Sequence, residues 1–210
     1  VIPSENELSK IYGISRMTAR SVVSEFVREG MLYRVQGKGT FVVEPKITAT
    51  PLSYKGIREQ LEQMGYQTAT KLLSTKKIAC TESIAKKLEI PEGSKVHVLE
   101  RLRFVKEQPL SIHTSFIPAQ YCKDLESKDF VGEQLCVILD KEYGLKSHKV
   151  IETLESTLAR EKEAKLLSIK VGYPLLLLED LIYDPEGKPF EYTKVLFRGD
   201  KIKISLQYEE

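Results

Sequence analysis

The chain opens with two runs of apolar residues at helical spacing, and each run is bounded by residues that start and stop helices. Ser4 and Glu7 have the spacing of a reciprocal N-terminal cap, and Gly13 can take the left-handed conformation that ends a helix sharply. Ser15 can cap a second helix that runs to Gly30, with apolar positions at Ala19, Val22, Val23, Phe26 and Val27. Two short helices joined by a glycine-containing turn predict a helix-turn-helix.

Candidate nucleic-acid ligands lie at the start of the second predicted helix and in a hairpin that follows it. A recognition helix places donors for bases and phosphates at its exposed first turns, which here hold Ser15, Arg16, Thr18 and Arg20. Strand-like Met31 to Val35 and Thr40 to Val43 flank a turn with Lys38 and Gly39 at its tip. A basic tip of this kind suits the minor groove or the backbone of DNA. Helix–helix–hairpin units also occur as protein–protein modules, which is the alternative interpretation.

The rest of the chain alternates between helical and strand-like periods, which predicts an α+β domain with a mainly antiparallel sheet. The predicted helices are Leu52 to Gly65, Thr81 to Leu88, Tyr121 to Leu125, Leu135 to Tyr143 and Arg160 to Leu167. The predicted strands are Ala69 to Ile78, Lys95 to Lys106, Leu110 to Ile117, His148 to Leu154, Tyr173 to Asp184, Phe190 to Arg198 and Lys203 to Tyr208, the last of which closes the sheet.

These patterns divide the chain into a DNA-binding domain over residues 1–44, a linker over 45–51 and a second domain over 52–210. Pro45 and Pro51 bracket the linker and favour extended backbone before them. The length of the segment suits either a hinge or a short added strand.

Charged residues on otherwise apolar strand faces are the candidate ligand-binding groups. Period-two alternation places Arg101 and Arg103 on one face of their strand. Buried arginines are costly unless paired, so they either meet carboxylates or bind an anionic ligand. Glu191 shares a face with Phe197, and it suits either a ligand hydroxyl or amine or a salt bridge to one of the arginines. Gly56 in a first helical turn indicates either a frayed end or an anion bound at the helix start.

Composition narrows the classes of protein without choosing among them. A net charge of +2, with 41% hydrophobic and 30% charged residues, is ordinary for a globular protein. No apolar run approaches the length of a membrane span, and no signal peptide is recognisable. The cysteines, Cys80, Cys122 and Cys136, are odd in number and widely spaced, which favours a reducing, cytoplasmic location. Neither zinc-like spacing nor a catalytic constellation is visible, so we predict no metal, no cofactor and no enzymatic activity.

The motif PSE-x-EL-x(4)-GISR-x-T-x-R, followed by G-x-L-x-R-x-x-G-K-G-T-F-V, resembles the winged helix-turn-helix of GntR-family bacterial repressors. The resemblance implies that Arg16, Thr18 and Arg20 face DNA and that Lys38 and Gly39 form the wing. Asn6 stands where many members carry a DNA-contacting arginine. The family domain has a further helix before the PSE motif, which we expect to be missing from this sequence.

The motifs E-R-L-R, Q-P-L-S-I-x-x-S-F-I-P, E-x-L-E-S-x-x-A and F-E-Y-T-x-x-x-F-R-G-D resemble the UTRA domain, the effector-sensing half of HutC-subfamily regulators. The resemblance implies a fold like that of chorismate lyase, with a ligand pocket in place of a catalytic one. In members that sense sugar phosphates, the matching effector-binding positions are Ser53, Gly56, Ile57, Arg101, Arg103, His148, Glu191 and Phe197. His113 replaces a frequent glutamate, and His148 replaces a small polar residue.

Together these expectations describe a homodimeric transcriptional repressor that a small anionic effector releases from a near-palindromic double-stranded operator. A sugar phosphate is the expected effector, because two arginines and a helix start suit a dianion, and another carboxylate or phosphonate metabolite is the runner-up. Two further hypotheses are a chorismate-lyase-like enzyme and an assembly module that binds no ligand.

Overall fold

The structure is a computed structural model that describes residues 1–43, 45–50 and 56–206. The chain divides into two units, Val1–Pro45 and a larger unit from Lys46 onward. No described helix combines the length and the apolar character that a membrane span requires.

The first unit contains the two predicted helices and the predicted hairpin: α1 (Glu5–Tyr12), α2 (Arg16–Arg28), β1 (Leu32–Val35) and β2 (Gly39–Val42). Ser4 and Glu7 cap each other's backbone N–H groups, and Gly13 ends α1 with a φ of 65°. The Ser15 hydroxyl caps α2 by accepting a hydrogen bond from the backbone of Thr18. The strands β1 and β2 pair antiparallel around the turn that carries Lys38.

The second unit is built on a six-stranded sheet whose strands are β4 (Thr68–Ala79), β5 (Lys95–Val105), β6 (Gln108–Pro118), β7 (Lys149–Leu158), β8 (Pro174–Tyr183) and β9 (Pro189–Arg198). The order in the sheet is β4-β5-β6-β9-β8-β7, and every pair of neighbours is antiparallel. Its helices are α3 (Gly56–Gln63), α4 (Glu82–Leu88), α5 (Leu135–Tyr143) and α6 (Glu161–Leu167). The prediction of an α+β fold with a mainly antiparallel sheet is therefore confirmed.

Helices cover both faces of this sheet. Residues of α4 pack against Val96 of β5, and residues of α6 pack against Leu102 of the same strand. On the opposite face α5 packs against Leu99, and α3 packs against Val195 and Phe197 of β9. Because side chains alternate along a strand, Leu99, Arg101 and Arg103 share this second face.

Two short strands correct and complete the predicted topology. β3 (Ile47–Ala49) and β10 (Ile202–Ile204) pair parallel with each other and are not part of the six-stranded sheet. The prediction that residues 203–208 close the sheet is therefore wrong for the described part of that segment, and residues 207 and 208 lie outside the described residues. Ile47 and Ala49 are buried against α3, so this part of the predicted linker is the short added strand rather than a hinge.

The predicted helix from Tyr121 to Leu125 is also wrong. The chain forms turns there, with a single 3-10 turn at Leu125–Ser127. Five residues provide too few backbone hydrogen bonds to offset the cost of starting an α-helix. The segment is instead held by its apolar side chains, since Cys122 and Leu125 are fully buried against α5.

Candidate functional site

The exposed cations of the first unit fall into a paired set and an unpaired set. Arg16 and Arg20 are exposed on the first turns of α2, and Lys38 is exposed at the tip of the hairpin. None of the three forms a salt bridge with any residue that the structure describes. By contrast, Arg28 at the far end of α2 is paired with Glu25 at 2.8 Å. The unpaired cations are therefore free to meet phosphates or base edges.

Three of the six predicted DNA-binding residues lie along one groove of the first unit, and Ser15, Thr18 and Arg20 are not among its described lining residues. Arg16, Lys38 and Gly39 line a groove of about 440 Å³. The Ser15 hydroxyl lies 3.0 Å from the backbone nitrogen of Thr18 and 2.7 Å from its side-chain oxygen. Ser15 and Thr18 therefore also fix the start of α2 and so orient Arg16.

The second unit contains a cavity of about 120 Å³ on the face of the sheet covered by α3 and α5. Arg101 and Arg103 from β5, Glu191 from β9 and Ile57 from α3 all line it, as predicted from the sequence. The polar lining also includes His113, Gln134, Ser147, Asp180 and Thr193. Strand alternation and the register of four neighbouring strands bring these side chains to one place.

The two cavity arginines are buried without a carboxylate partner. Each is 6% exposed, and no described carboxylate lies within 4.0 Å of either guanidinium group. Arg101 Nη2 donates to Ser115 Oγ at 2.9 Å, whereas Arg101 Nε and Arg103 Nε and Nη1 have no hydrogen-bond partner among the described residues. Burial, with the nearby charges of Arg101 and Arg58, lowers the pKa of Arg103 to about 9. Burial also lowers the pKa of Arg101. Both groups nevertheless remain cations at neutral pH.

A chain of hydroxyl groups connects Arg101 to Glu191. Ser115 Oγ lies 2.9 Å from Thr193 Oγ1, and Thr193 Oγ1 donates to Glu191 Oε1 at 2.6 Å. Because the Thr193 proton is used toward Glu191, Ser115 must donate to Thr193 while it accepts from Arg101. These polar groups are thus oriented before any ligand binds, and the salt bridge that we considered between Glu191 and an arginine is absent among the described residues.

The environment also sets the charge state of two other lining residues. Burial, followed by the charges of Arg103 and Arg101, holds the pKa of His113 well below its ordinary value, so the imidazole is neutral. Its Nε2 lies 2.9 Å from the hydroxyl of Ser111. Burial, followed by the charges of Glu152 and Glu191, raises the pKa of Asp180 to about 8, so this carboxyl is mostly protonated at neutral pH.

Three further predicted effector residues, Phe197, His148 and Gly56, are not among the described lining residues. Phe197 is fully buried beneath the cavity, with its ring centroid 6.2 Å from that of His113. His148 is exposed just before β7, and the preceding residue, Ser147, lines the cavity instead. Gly56 is the first residue of α3. Ser53 lies outside the described residues.

Among the polar lining residues, Gln134, Ser147 and Asp180 were not predicted from the sequence. Asp180 follows a run of leucines. Period-two alternation places it on the same face of its strand as Ile182, and it lies opposite Thr193 of the neighbouring strand, so this alternation could have placed it on the cavity face. The resemblance places a small polar residue at the position of His148, and Ser147 precedes it by one residue, so an offset of one in this irregular segment between α5 and β7 separates the prediction from the observed lining residue. Among the described residues, no group of His, Cys, Asp and Glu side chains could hold a metal ion.

Comparison with known proteins agrees with this division into two units. The family model of bacterial regulatory proteins, gntR family, matches residues 1–42, and the UTRA domain model matches residues 63–203. The chain is 32% identical over 200 residues to the HTH-type transcriptional repressor NagR of Bacillus subtilis (strain 168), covering 95% of this chain and 82% of NagR. It is 29% identical over 209 residues to the histidine utilization repressor of Pseudomonas putida, covering 100% of this chain and 83% of that repressor.

A solved structure shares the whole architecture. The crystal structure of PhnF from Mycobacterium smegmatis matches 100% of this chain and 92% of PhnF, with a TM-score of 0.74 and 25% sequence identity. The similarity spans both units, so PhnF also has a small N-terminal unit followed by a sheet-based unit.

Proposed function

We propose that this chain, which belongs to the GntR family of bacterial regulatory proteins and has a UTRA domain, is a cytoplasmic, homodimeric repressor that a sugar phosphate releases from its operator. Its family makes it a DNA-binding transcriptional regulator rather than an enzyme. In this proposal Arg16, Arg20 and Lys38 bind DNA, and the N-terminal turn of α2 holds Arg16 in its orientation. The effector ligands are Arg101, Arg103 and Glu191.

The observation that carries the proposal is the pair of buried arginines that share a cavity and have no described carboxylate partner. An unpaired buried cation destabilises the folded protein by roughly several kcal/mol. A protein retains such a cation only where a function other than stability requires it. An anionic ligand meets that requirement, because its oxygens satisfy the free Nε and Nη1 donors.

A sugar phosphate fits better than a plain anion because the cavity has two chemically different ends. Arg101 and Arg103 provide forked donors of the kind that bind phosphate oxygens. Glu191 and Asp180 lie toward the other end, on β9 and β8, where they can accept hydrogen bonds from hydroxyl groups. A carboxylate or phosphonate metabolite would use the first end and leave the second unsatisfied.

Release from DNA requires that the effector favours one of two dimer geometries. A dimer presents two recognition helices to paired half-sites, so a change in their spacing removes one of the contacts. A coupling free energy of about 1–3 kcal/mol between the cavity and DNA is enough to change operator affinity by roughly 5- to 150-fold.

The DNA-binding half is tested on an operator duplex selected by the wild-type protein from a random library. Arg16→Ala should weaken binding by roughly tenfold or more, because a forked base or phosphate contact is lost. Arg28→Ala is the matched control on the same helix, since Arg28 is already paired with Glu25. Fluorescence anisotropy measures both, and equal affinity of the two variants would exclude Arg16 from the interface.

The effector half is tested by adding hexose phosphates to the repressor–operator complex, with the parent hexoses and inorganic phosphate as matched controls and small carboxylate and phosphonate metabolites as the competing class. We expect a hexose phosphate to dissociate the complex and raise the melting temperature of the protein, while the parent sugar does neither. Release by a carboxylate metabolite alone would transfer the proposal to the runner-up class. Release by none of these compounds would support the ligand-free assembly module.

A further inference from the structure

The end of the cavity that faces away from the arginines is acidic. Asp180 and Glu191 both line it, and no described lysine, arginine or histidine forms a salt bridge with either carboxyl group. Glu191 is 5% exposed and accepts a hydrogen bond from Thr193, whereas Asp180 Oδ1 is buried with no partner among the described residues. The lining therefore combines unpaired cations and unpaired acids in one space.

These opposite charges lie within reach of a single small molecule. Three successive hydrogen bonds of 2.9, 2.9 and 2.6 Å lead from Arg101 through Ser115 and Thr193 to Glu191, so the two charged groups are no farther apart than these lengths joined end to end. They are farther apart than 4.0 Å, since they form no salt bridge. Asp180 is the cross-strand neighbour of Thr193, which places it beside Glu191 at the same end.

Within the lining, no described group supplies the missing positive charge. Besides the two arginines, the described lining residue that could become a cation is His113, and burial together with the charges of the two arginines keeps it neutral. The crowding of acids is reflected in the pKa of Asp180, which burial, Glu152 and Glu191 raise to about 8. A cation placed there would let both carboxyl groups ionise and would give each a charge-assisted hydrogen bond.

We propose that the effector is a zwitterion whose phosphate binds Arg101 and Arg103 and whose amine binds between Asp180 and Glu191. The inference rests on the proposed function for the phosphate end and extends it at the other end. A neutral hydroxyl at this position can donate only one hydrogen bond, whereas an ammonium group carries three donors and the compensating charge. The cavity thereby selects an amino-bearing phosphate over its plain analogue.

The test compares short ω-aminoalkyl phosphates of increasing chain length with alkyl phosphates of the same length, by calorimetry on the full chain at neutral pH. At the chain length that spans the two ends, the amino compound should bind roughly tenfold or more tightly than its alkyl partner. Equal affinities at every length, or a preference for the alkyl series, would overturn the inference while leaving the phosphate site intact. If neither series binds, the phosphate site itself fails, and with it the proposed effector class.

Three variants assign the preference to these residues. Asp180→Asn and Glu191→Gln keep the side-chain size and remove one charge each, and either should reduce the preference for the amino series while alkyl phosphates still bind. Glu179→Gln is the control, because Glu179 precedes Asp180 on β8 but points to the opposite face, so the preference should be unchanged. A preference that survives in both Asp180→Asn and Glu191→Gln would contradict the proposed site, and two separate variants guard against one that fails to fold.

Discussion

Two consecutive acidic residues on β8 show how differently the two faces of the same sheet treat a charge. Glu179 points to the α4 face, where it accepts hydrogen bonds from Lys87 at 2.9 Å and from the hydroxyl of Tyr192, and forms an ion pair with Lys194 at 3.1 Å. Asp180 points to the cavity face, where Oδ1 has no partner among the described residues. One position along the strand thus separates a carboxylate that the protein satisfies from one that it leaves unsatisfied.

The difference extends to the rest of each face. On the α4 face the lysines are matched to the acid, and Lys87 also lies 4.4 Å from the centroid of the Tyr192 ring. On the cavity face Arg101 and Arg103 have no described carboxylate partner, although acids line the same cavity. A satisfied cluster stabilises the fold, whereas an unsatisfied buried cluster costs stability and is best explained by a ligand.

The largest expected effect comes from removing a cation of the cavity face. Arg103→Met should weaken the binding of a hexose phosphate by roughly a hundredfold or more, because a buried charged partner is lost. The same variant should raise the free energy of unfolding of the ligand-free protein by about 1–4 kcal/mol, because an apolar group of similar length replaces an unpaired buried charge. Calorimetry and urea unfolding measure the two quantities.

Arg198→Met is the matched control for Arg103→Met. Arg198 is partly buried and forms two hydrogen bonds with Asp200, at 2.7 and 3.1 Å. Its removal should therefore lower stability and leave ligand affinity unchanged. If Arg103→Met instead lowers stability as Arg198→Met does, the cavity arginine is structural and the ligand argument fails.

The sequence predicted the arginine end of this cavity because period-two alternation and the cost of burying arginine are local rules. The α1–α2 unit was predictable for the same reason, since Ser4, Glu7 and Gly13 set its boundaries within a few residues of one another. Glu191 was predicted at the acidic end but Asp180 was not, because alternation along β8 gives only the face of Asp180, and its place beside Glu191 depends on its register opposite Thr193 on β9. The pairing of β3 with β10 was likewise missed, since parallel pairing between distant segments leaves no signal in either one.

The next largest effect concerns the satisfied face. Glu179→Gln should destabilise the protein by about 1–3 kcal/mol, because two lysines and the Tyr192 hydroxyl lose a charged acceptor. Ligand binding should not change, because the side chain lies on the other side of the sheet. Urea unfolding and calorimetry decide the matter, and a variant that binds the ligand more weakly at unchanged stability would contradict the division between the two faces.

The most diagnostic test of the contrast is the pH dependence of the two acids. Burial raises the pKa of Glu179, but hydrogen bonds from Tyr192, Lys87 and Lys194 outweigh it and hold the pKa at about 2, below the ordinary 4.5. Its contribution is therefore present above pH 4.5 and is lost as the pH falls through about 2. Asp180 should behave in the opposite way.

The pKa of Asp180 is about 8 in the folded chain and 3.8 as an ordinary value. Between these values the folded chain holds a proton that the unfolded chain has released, so stability falls as the pH rises. Asp180→Asn removes that titration, so its stability advantage over the wild type should be absent near pH 4 and grow toward pH 8. Urea unfolding of the ligand-free proteins across this range measures the difference. A constant difference, or one that shrinks with pH, would mean that Asp180 is ionised and paired in the folded chain, and the two faces would then treat their acids alike.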